Sequence, residues 1–209
     1  MTFNPRYIAV EGPTGVGKTT FAKRLVRRLR ARGMLEAAHV NPFLENFYKD
    51  KDKYAFQAQM FFLLARFQQQ QQLIQQDLFT RVTVSDYLFA KDRIFATVTL
   101  STAELARYER LFQEINTSVT KPDLVIYLQA HLEVLLSRVE KRAQEYESTF
   151  DAEYLSTVCH AYNDYFSHYT ETPLLVVNTS DMDLDSDAAT FESLLSVMRQ
   201  MKEGTVYYS

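Results

Sequence analysis

The segment Gly12-Pro13-Thr14-Gly15-Val16-Gly17-Lys18-Thr19 constrains this chain more than any other part of it. It fits the pattern G-x-x-x-x-G-K-[ST], a loop that cradles phosphate between a buried strand and a helix. The sequence holds five glycines, and Gly12, Gly15 and Gly17 fall within this one loop. Glycine is needed where the backbone takes positive φ or closes on a ligand, so the concentration marks a local demand. Both flanks agree. Tyr7-Ile8-Ala9-Val10 is a short apolar run of strand formers. Phe21, Ala22, Leu25, Val26 and Leu29 recur at helical spacing. Backbone N–H groups and the helix dipole attract phosphate oxygens at such a junction. The candidate phosphate site is therefore Gly12, Pro13, Thr14, Gly15, Val16, Gly17, Lys18, Thr19 and Thr20. Lys18 would place a point charge on the β- and γ-phosphates of a bound nucleotide, and the Thr19 hydroxyl suits Mg²⁺. An ordinary strand-to-helix turn is the bland alternative, and the matching context on both sides weighs against it.

Four more strand candidates follow: Met34-Leu35-Glu36, Val82-Thr83-Val84-Ser85-Asp86, Leu124-Val125-Ile126-Tyr127-Leu128 and Leu174-Leu175-Val176-Val177. Helical patterns lie at about 54–77, 101–116, 131–147, 151–169 and 188–202. Strands alternating with helices predict an α/β fold with a five-stranded parallel sheet flanked by helices. No Pro-, Gly- or Ser-rich linker and no repeat divides the 209 residues, so one domain over 1–209 is expected. The basic stretch 23–32 reads as the solvated face of the first helix rather than a nucleic-acid patch. The glutamines at 68–72 read as an exposed helical surface.

Composition narrows the function. Hydrophobic residues make up 46% and charged residues 23%, which are globular values and exclude a disordered chain. No apolar stretch is long enough to cross a bilayer. The net charge of −3 argues against binding nucleic acid by bulk charge. No CxxC or HExxH pattern signals zinc. Cys159 is the sole cysteine and cannot form an internal disulfide. The first residues lack a basic segment followed by an apolar one, so a cytoplasmic location is expected.

A phosphate loop says only that a nucleoside triphosphate binds. Ligands of open α/β sheets gather at the carboxyl ends of the strands, which singles out Glu36, Asp86 and the segment after Asp86. Gln59 and Arg66 are seven residues apart and share one face of a helix. A Gln amide offers a donor and an acceptor, as the edge of a nucleobase requires. An Arg among apolar residues needs a partner, and Asp92 is a candidate. An exposed Gln with a snorkelling Arg fits the spacing equally well.

With these residues the sequence resembles the deoxynucleoside kinase family, in particular its bacterial deoxyadenosine/deoxyguanosine kinase branch. The resemblance spans nearly the whole chain. Its most specific part is Asn41-Pro42-Phe43-Leu44-Glu45-Asn46-Phe47-Tyr48, followed by Tyr54-Ala55-Phe56 and by Gln59 to Arg66. The resemblance implies a P-loop NTPase fold with an Arg-bearing lid at about 138–150. It implies that Tyr48 bonds the sugar 3′-hydroxyl, that Gln59 reads the base edge, and that Arg66 pairs with Asp92 facing the base. Glu36, five residues before Asn41-Pro42, takes the place of the family's general base, with Glu45 as its rival. Asp86 keeps the family's acid at the end of the third strand, a partner for Mg²⁺ through water. Phe95 would stack on the base, although it comes one residue early. Arg138 and Arg142 would face the phosphates from the lid, and Glu147 would bind the 3′-hydroxyl. Two departures stand out. Tyr87 replaces an Arg that contacts phosphate and the essential carboxylate in the family, and Ala143-Gln144 removes one lid Arg.

The expected activity is transfer of the γ-phosphoryl group of ATP to the 5′-hydroxyl of a deoxynucleoside, with purines favoured on the resemblance alone. Lys18 and Arg142 would stabilise charge, Thr19 and Asp86 would hold Mg²⁺, and Glu36 would be the base. A homodimer is implied only by the resemblance. Two rivals remain: a nucleoside monophosphate kinase of thymidylate type, and a nucleotide-binding regulatory module with little turnover. After the last strand, residues 178–183 are the candidate loop for the donor's adenine.

Overall fold

The computed structural model describes residues 5–74, 82–142 and 152–209, with the backbone alone for Ile74 and Arg142. Within them lies a parallel sheet in the order β2 (Arg32–Met34), β3 (Thr83–Ser85), β1 (Tyr7–Glu11), β4 (Leu124–Gln129), β5 (Leu174–Asn178) and β6 (Thr205–Tyr208). All five residues of β1 are buried, as in a strand covered on both faces. The faces alternate. Tyr7, Ala9, Val125, Tyr127 and Val176 pack towards α2 (Leu44–Lys49), α3 (Lys51–Ile74), α4 (Lys91–Thr99) and α7 (Ala152–Ser167). Ile8, Val10, Ile126, Leu128 and Val177 pack towards α1 (Lys18–Leu29), α6 (Leu132–Arg142) and α8 (Ala188–Gln200). A third cluster of Leu63, Phe89, Ala96, Tyr108 and Phe112 joins α3 and α4 to α5 (Thr102–Asn116). Each large apolar side chain so buried contributes about 1.5–3 kcal/mol.

Four sequence expectations are corrected. The sheet has six strands rather than five, because Thr205–Tyr208 pairs with β5. It escapes a hydropathy reading because it is an edge strand with alternately exposed residues. The second strand runs over Arg32–Met34, and Leu35 and Glu36 lie past its end. Its partner β3 stops at Ser85, so no ladder remains for them to join. Two short helices, α2 and α4, occupy stretches with no helical assignment from the sequence. They are six and nine residues long, too short for a sustained period. Leu100 ends α4, and Ser101 opens α5 with a capping box to Glu104. Finally, the glutamine run is not all surface. Gln70 is fully buried and donates to the Tyr7 hydroxyl, while Gln69 accepts from the Tyr87 hydroxyl.

The basic face of α1 is engaged within the fold. Arg24 donates to the carbonyls of Leu184 and Asp187 and lies over the Phe191 ring, and Arg28 pairs with Glu192 on α8. These contacts tie α1 to α8 behind the phosphate loop.

Candidate active site

The loop joining β1 to α1 takes a backbone path open only to glycine at two points. A Cβ on Gly12, at φ 152°, would sit 2.2 Å from the Leu128 carbonyl oxygen on the neighbouring strand. Gly15 has φ 85°, and a Cβ there would meet the Leu135 carbonyl of α6 at 2.8 Å. The loop is thus wedged between β4 and α6. Arg138 of α6 reinforces that wedge by donating to the carbonyls of Val16, Thr179 and Met182. Its donors reach backbone oxygens on both sides of the cleft, so it fastens the segment after β5 to the phosphate loop.

Glu11, the last residue of β1, holds the loop from beneath. Its carboxylate accepts from the N–H of Gly12 at 2.8 Å, the N–H of Leu88 at 2.7 Å and the Tyr162 hydroxyl at 3.0 Å. Burial pushes its carboxyl up from the ordinary range, against the pull of Lys91 and Lys18. Sequence reasoning passed over this residue. The available signal was a Glu that ends an otherwise apolar strand run.

Lys18 donates to the carbonyls of Gly12 and Pro13 at 2.6 and 3.1 Å, which sets its ammonium over the loop mouth. Burial, and then repulsion from Lys91, lower it to about 8. Thr19 Oγ1 donates to Asp86 Oδ2 at 2.5 Å, and Asp86 Oδ1 accepts from the Glu36 N–H at 2.7 Å. A hydroxyl and a carboxylate beside a phosphate loop suit Mg²⁺, which takes one or two protein oxygens and fills its octahedron with water and phosphate. Among the described residues no group of three or more His, Cys, Asp or Glu is placed to hold a metal.

One cleft of about 1050 Å³ runs from the phosphate loop to α3, α4 and α7. It brings together nearly every residue singled out from the sequence: Thr14 to Thr20, Glu36, Tyr48, Gln59, Arg66, Asp86, Asp92, Phe95 and Arg138. Leu44, Phe47, Phe62 and Tyr154 supply apolar walls. Gln59 is buried and donates to the Thr99 hydroxyl at 3.3 Å. Met182 to Asp185 line the cleft, so the segment after β5 meets it slightly later than the predicted 178–183. Glu147 and most of the predicted lid lie outside the described residues, as does the side chain of Arg142. Glu45 points elsewhere, to an exposed pair with Lys49.

At the centre of the cleft four charges form one network. Arg66 pairs with both Asp92 and Glu36, and Lys91 Nζ bonds the other oxygen of Glu36. Burial would raise the Glu36 carboxyl, but Arg66 and then Lys91 outweigh it and hold it well below the usual range. Burial raises Asp92 to about 6 despite Arg66. Burial also opposes the charge on Arg66, and Asp92 and Glu36 overcome it. The Arg66 guanidinium lies 4.9 Å from the centre of the Phe62 ring and 5.5 Å from that of Tyr87. Removing Arg66 would leave two carboxylates without their shared cation. Arg66→Met is expected to lower stability in urea by about 3 kcal/mol, and adding Asp92→Asn should recover part of the loss. A loss under about 1 kcal/mol would show that the network is not desolvated as described.

Tyr87 sits where the resemblance led to an Arg. It is fully buried, and its hydroxyl donates to Gln69 at 2.8 Å. Sequence reasoning missed Lys91, because a Lys in a turn before a short helix reads as surface.

Comparison with known proteins agrees with this geometry. Residues 8–203 match the sequence profile of the family described as "Deoxynucleoside kinase". A deoxyguanosine kinase of Bacillus subtilis is 34% identical over 181 residues, spanning 85% of this chain and 86% of that one. A deoxyadenosine kinase of Dictyostelium discoideum is 34% identical, over 84% of this chain and 73% of that one. The solved structure of a deoxyadenosine kinase from M. mycoides, with dCMP and a flexible dCDP bound, superposes with a TM-score of 0.80 at 25% identity. It covers 93% of this chain and 100% of that one. The phosphate loop, the Glu36–Arg66–Asp92 network and a profile match over most of the length lead to one assignment: the chain belongs to the deoxynucleoside kinase family, enzymes that phosphorylate deoxynucleosides from a nucleotide donor.

Proposed function

We propose that the preferred acceptor is a purine deoxynucleoside, with ATP and Mg²⁺ as donor and metal and Glu36 as the general base. The observation that carries this reading is the position of the Glu36 carboxylate. It lies in one cleft with the phosphate loop and with the Gln59–Arg66–Asp92 end, held by a cation at each oxygen. The relatives named above are deoxyguanosine and deoxyadenosine kinases, which supports the purine preference. One domain over 1–209 and a cytoplasmic location, read from the sequence, and a lid at about 138–150 and a homodimer, implied by the resemblance, belong to the same proposal.

In this reading the base lies between Phe62 and Phe95 on the cleft walls, with the Gln59 amide on its edge. Asp92 Oδ2 is a buried acceptor without a hydrogen-bond partner among the described residues. It suits a donor on the base or a bridging water. Tyr48, which lines the same cleft, would bond the sugar 3′-hydroxyl, and Glu147 would share that hydroxyl. Arg66 is committed to two carboxylates, so it is not free to hold an acceptor phosphate. That favours a neutral nucleoside over a monophosphate.

The 5′-hydroxyl oxygen attacks the γ-phosphorus, the bond from that phosphorus to the β–γ bridging oxygen breaks, and the hydroxyl proton passes to Glu36. A carboxyl held well below its usual range is a weak base. It is sufficient where the transition state is loose and the proton leaves late, so Glu36 acts more by orienting the hydroxyl than by basicity. Lys18, the loop N–H groups and Arg142 meet the charge on the phosphates. Thr19 and Asp86 would hold Mg²⁺, whose charge would offset that of the phosphates.

The test is steady-state kinetics with each of the four deoxynucleosides. A purine should give the highest kcat/KM. Gln59→Ala should raise the nucleoside KM about tenfold or more and leave the KM for ATP within about twofold, as loss of a base-edge contact requires. A pyrimidine preference, or an effect confined to ATP, would overturn the assignment.

A further inference from the structure

We propose that Lys91 is the positioning residue for the proton acceptor of this enzyme, clamping the oxygen of Glu36 that Arg66 does not hold. The inference rests on the reading of Glu36 as general base and adds a residue to it.

Lys91 is the first residue of α4, five positions after Asp86 and one turn beyond Tyr87. Its Nζ lies 2.5 Å from Glu36 Oε2, while Oε1 of the same carboxylate is taken by Arg66. The two cations divide the carboxylate between the ends of the cleft. Arg66 belongs to the Asp92 end. Lys91 belongs to the loop end, where its charge is felt by both Lys18 and Glu11. A single cation on one oxygen leaves a carboxylate free to rotate about its last bond; one on each oxygen fixes its plane.

Tyr87 cannot do this. It carries no charge, it is fully buried, its hydroxyl is spent on Gln69, and it does not line the cleft. Its ring instead backs the Arg66 guanidinium. Lys91 is only 8% exposed, so its ammonium has lost most of its water. Such a cation is retained when a partner needs it. Two ammonium groups, those of Lys18 and Lys91, thus converge on the loop mouth from α1 and α4, an arrangement that a polyphosphate chain relieves.

A merely structural role for Lys91 predicts a different outcome from a positioning one, and kinetics separate them. Lys91→Met, Lys91→Arg and Glu36→Gln would be compared with the parent enzyme using Mg·ATP and the preferred deoxynucleoside. Misplacing a reacting group by about 1 Å costs on the order of 100-fold in rate. Lys91→Met should therefore lower kcat about 100-fold and move the nucleoside KM by less than about threefold. Lys91→Arg should restore a large part of the loss. A folded Lys91→Met enzyme with kcat within about threefold of the parent, beside an inactive Glu36→Gln, would overturn this proposal alone. So would an Arg variant as slow as the Met variant, or a Met variant that fails to fold. If Glu36→Gln keeps its activity, the reading of Glu36 as base fails and this inference goes with it.

Discussion

Lys18→Met should leave the enzyme folded and abolish measurable turnover, with kcat lower by about 10³-fold or more. The ammonium stands over the loop mouth, held there by the Gly12 and Pro13 carbonyls. Phosphoryl transfer is catalysed almost entirely by positioning and by charge set against the transferred group. Among the described residues, the other Lys and Arg side chains that line the cleft are engaged elsewhere, Arg66 with Glu36 and Asp92. Arg138 is spent on backbone carbonyls, and Lys91 is held by Glu36. The fold should survive because burial already disfavours the charged ammonium, which is lowered to about 8. Losing it removes a repulsion from Lys91 as well as the attraction to Glu11. Circular dichroism and urea unfolding would confirm the fold, and a coupled assay would give the rate. A variant with more than about a tenth of the parent kcat would contradict the placement of the phosphates.

The second large effect belongs to Glu36. Glu36→Gln should lower kcat by about 10²- to 10³-fold, while Glu45→Gln should change it by less than about twofold. The two differ by where the fold puts them. Glu36 lies in the cleft under Arg66 and Lys91, and Glu45 lies on the surface with Lys49. The glutamine keeps the size and removes the charge, so Arg66 would retain Asp92 and Lys91 would retain the neighbourhood of Glu11. Nucleoside KM should therefore change less than kcat. Equal losses for the two variants, or a larger one for Glu45→Gln, would mean that the wrong carboxylate has been chosen.

What the sequence revealed and what it hid follow one physical division. The phosphate loop was legible because its determinants are consecutive: glycines forced by steric closure, an apolar strand before them and an amphipathic helix after. The pairing of Arg66 with Asp92 was legible only in part: an Arg amid apolar residues demands a partner, but the chain has 26 acidic residues and it was the resemblance that singled out Asp92. Glu36 joining that pair was not legible, since it depends on how far β2 runs. β2 ends at Met34 because β3 ends at Ser85, and only then can Glu36 turn into the cleft. Lys91 and Glu11 were missed for the same reason. Each looks ordinary in its local window, and each gains meaning only when β1, α1, α4 and the loop are brought together. The edge strand β6 and the half-buried glutamines of α3 were misread because alternate exposure and polar composition hide a segment from a hydropathy argument. Gln70 is an example: its amide is buried to satisfy the Tyr7 hydroxyl, which no spacing rule announces.

The most direct test of the account is the acceptor itself. Enzyme would be incubated with Mg²⁺ and γ-labelled ATP, offered the deoxynucleosides and their 5′-monophosphates separately, with Lys18→Met as control. The account predicts label at the 5′-oxygen of a purine deoxynucleoside, none on the monophosphates, and none with the variant. Label on the monophosphates alone would contradict it, because Arg66 would then have to leave Glu36 and Asp92 to hold an acceptor phosphate.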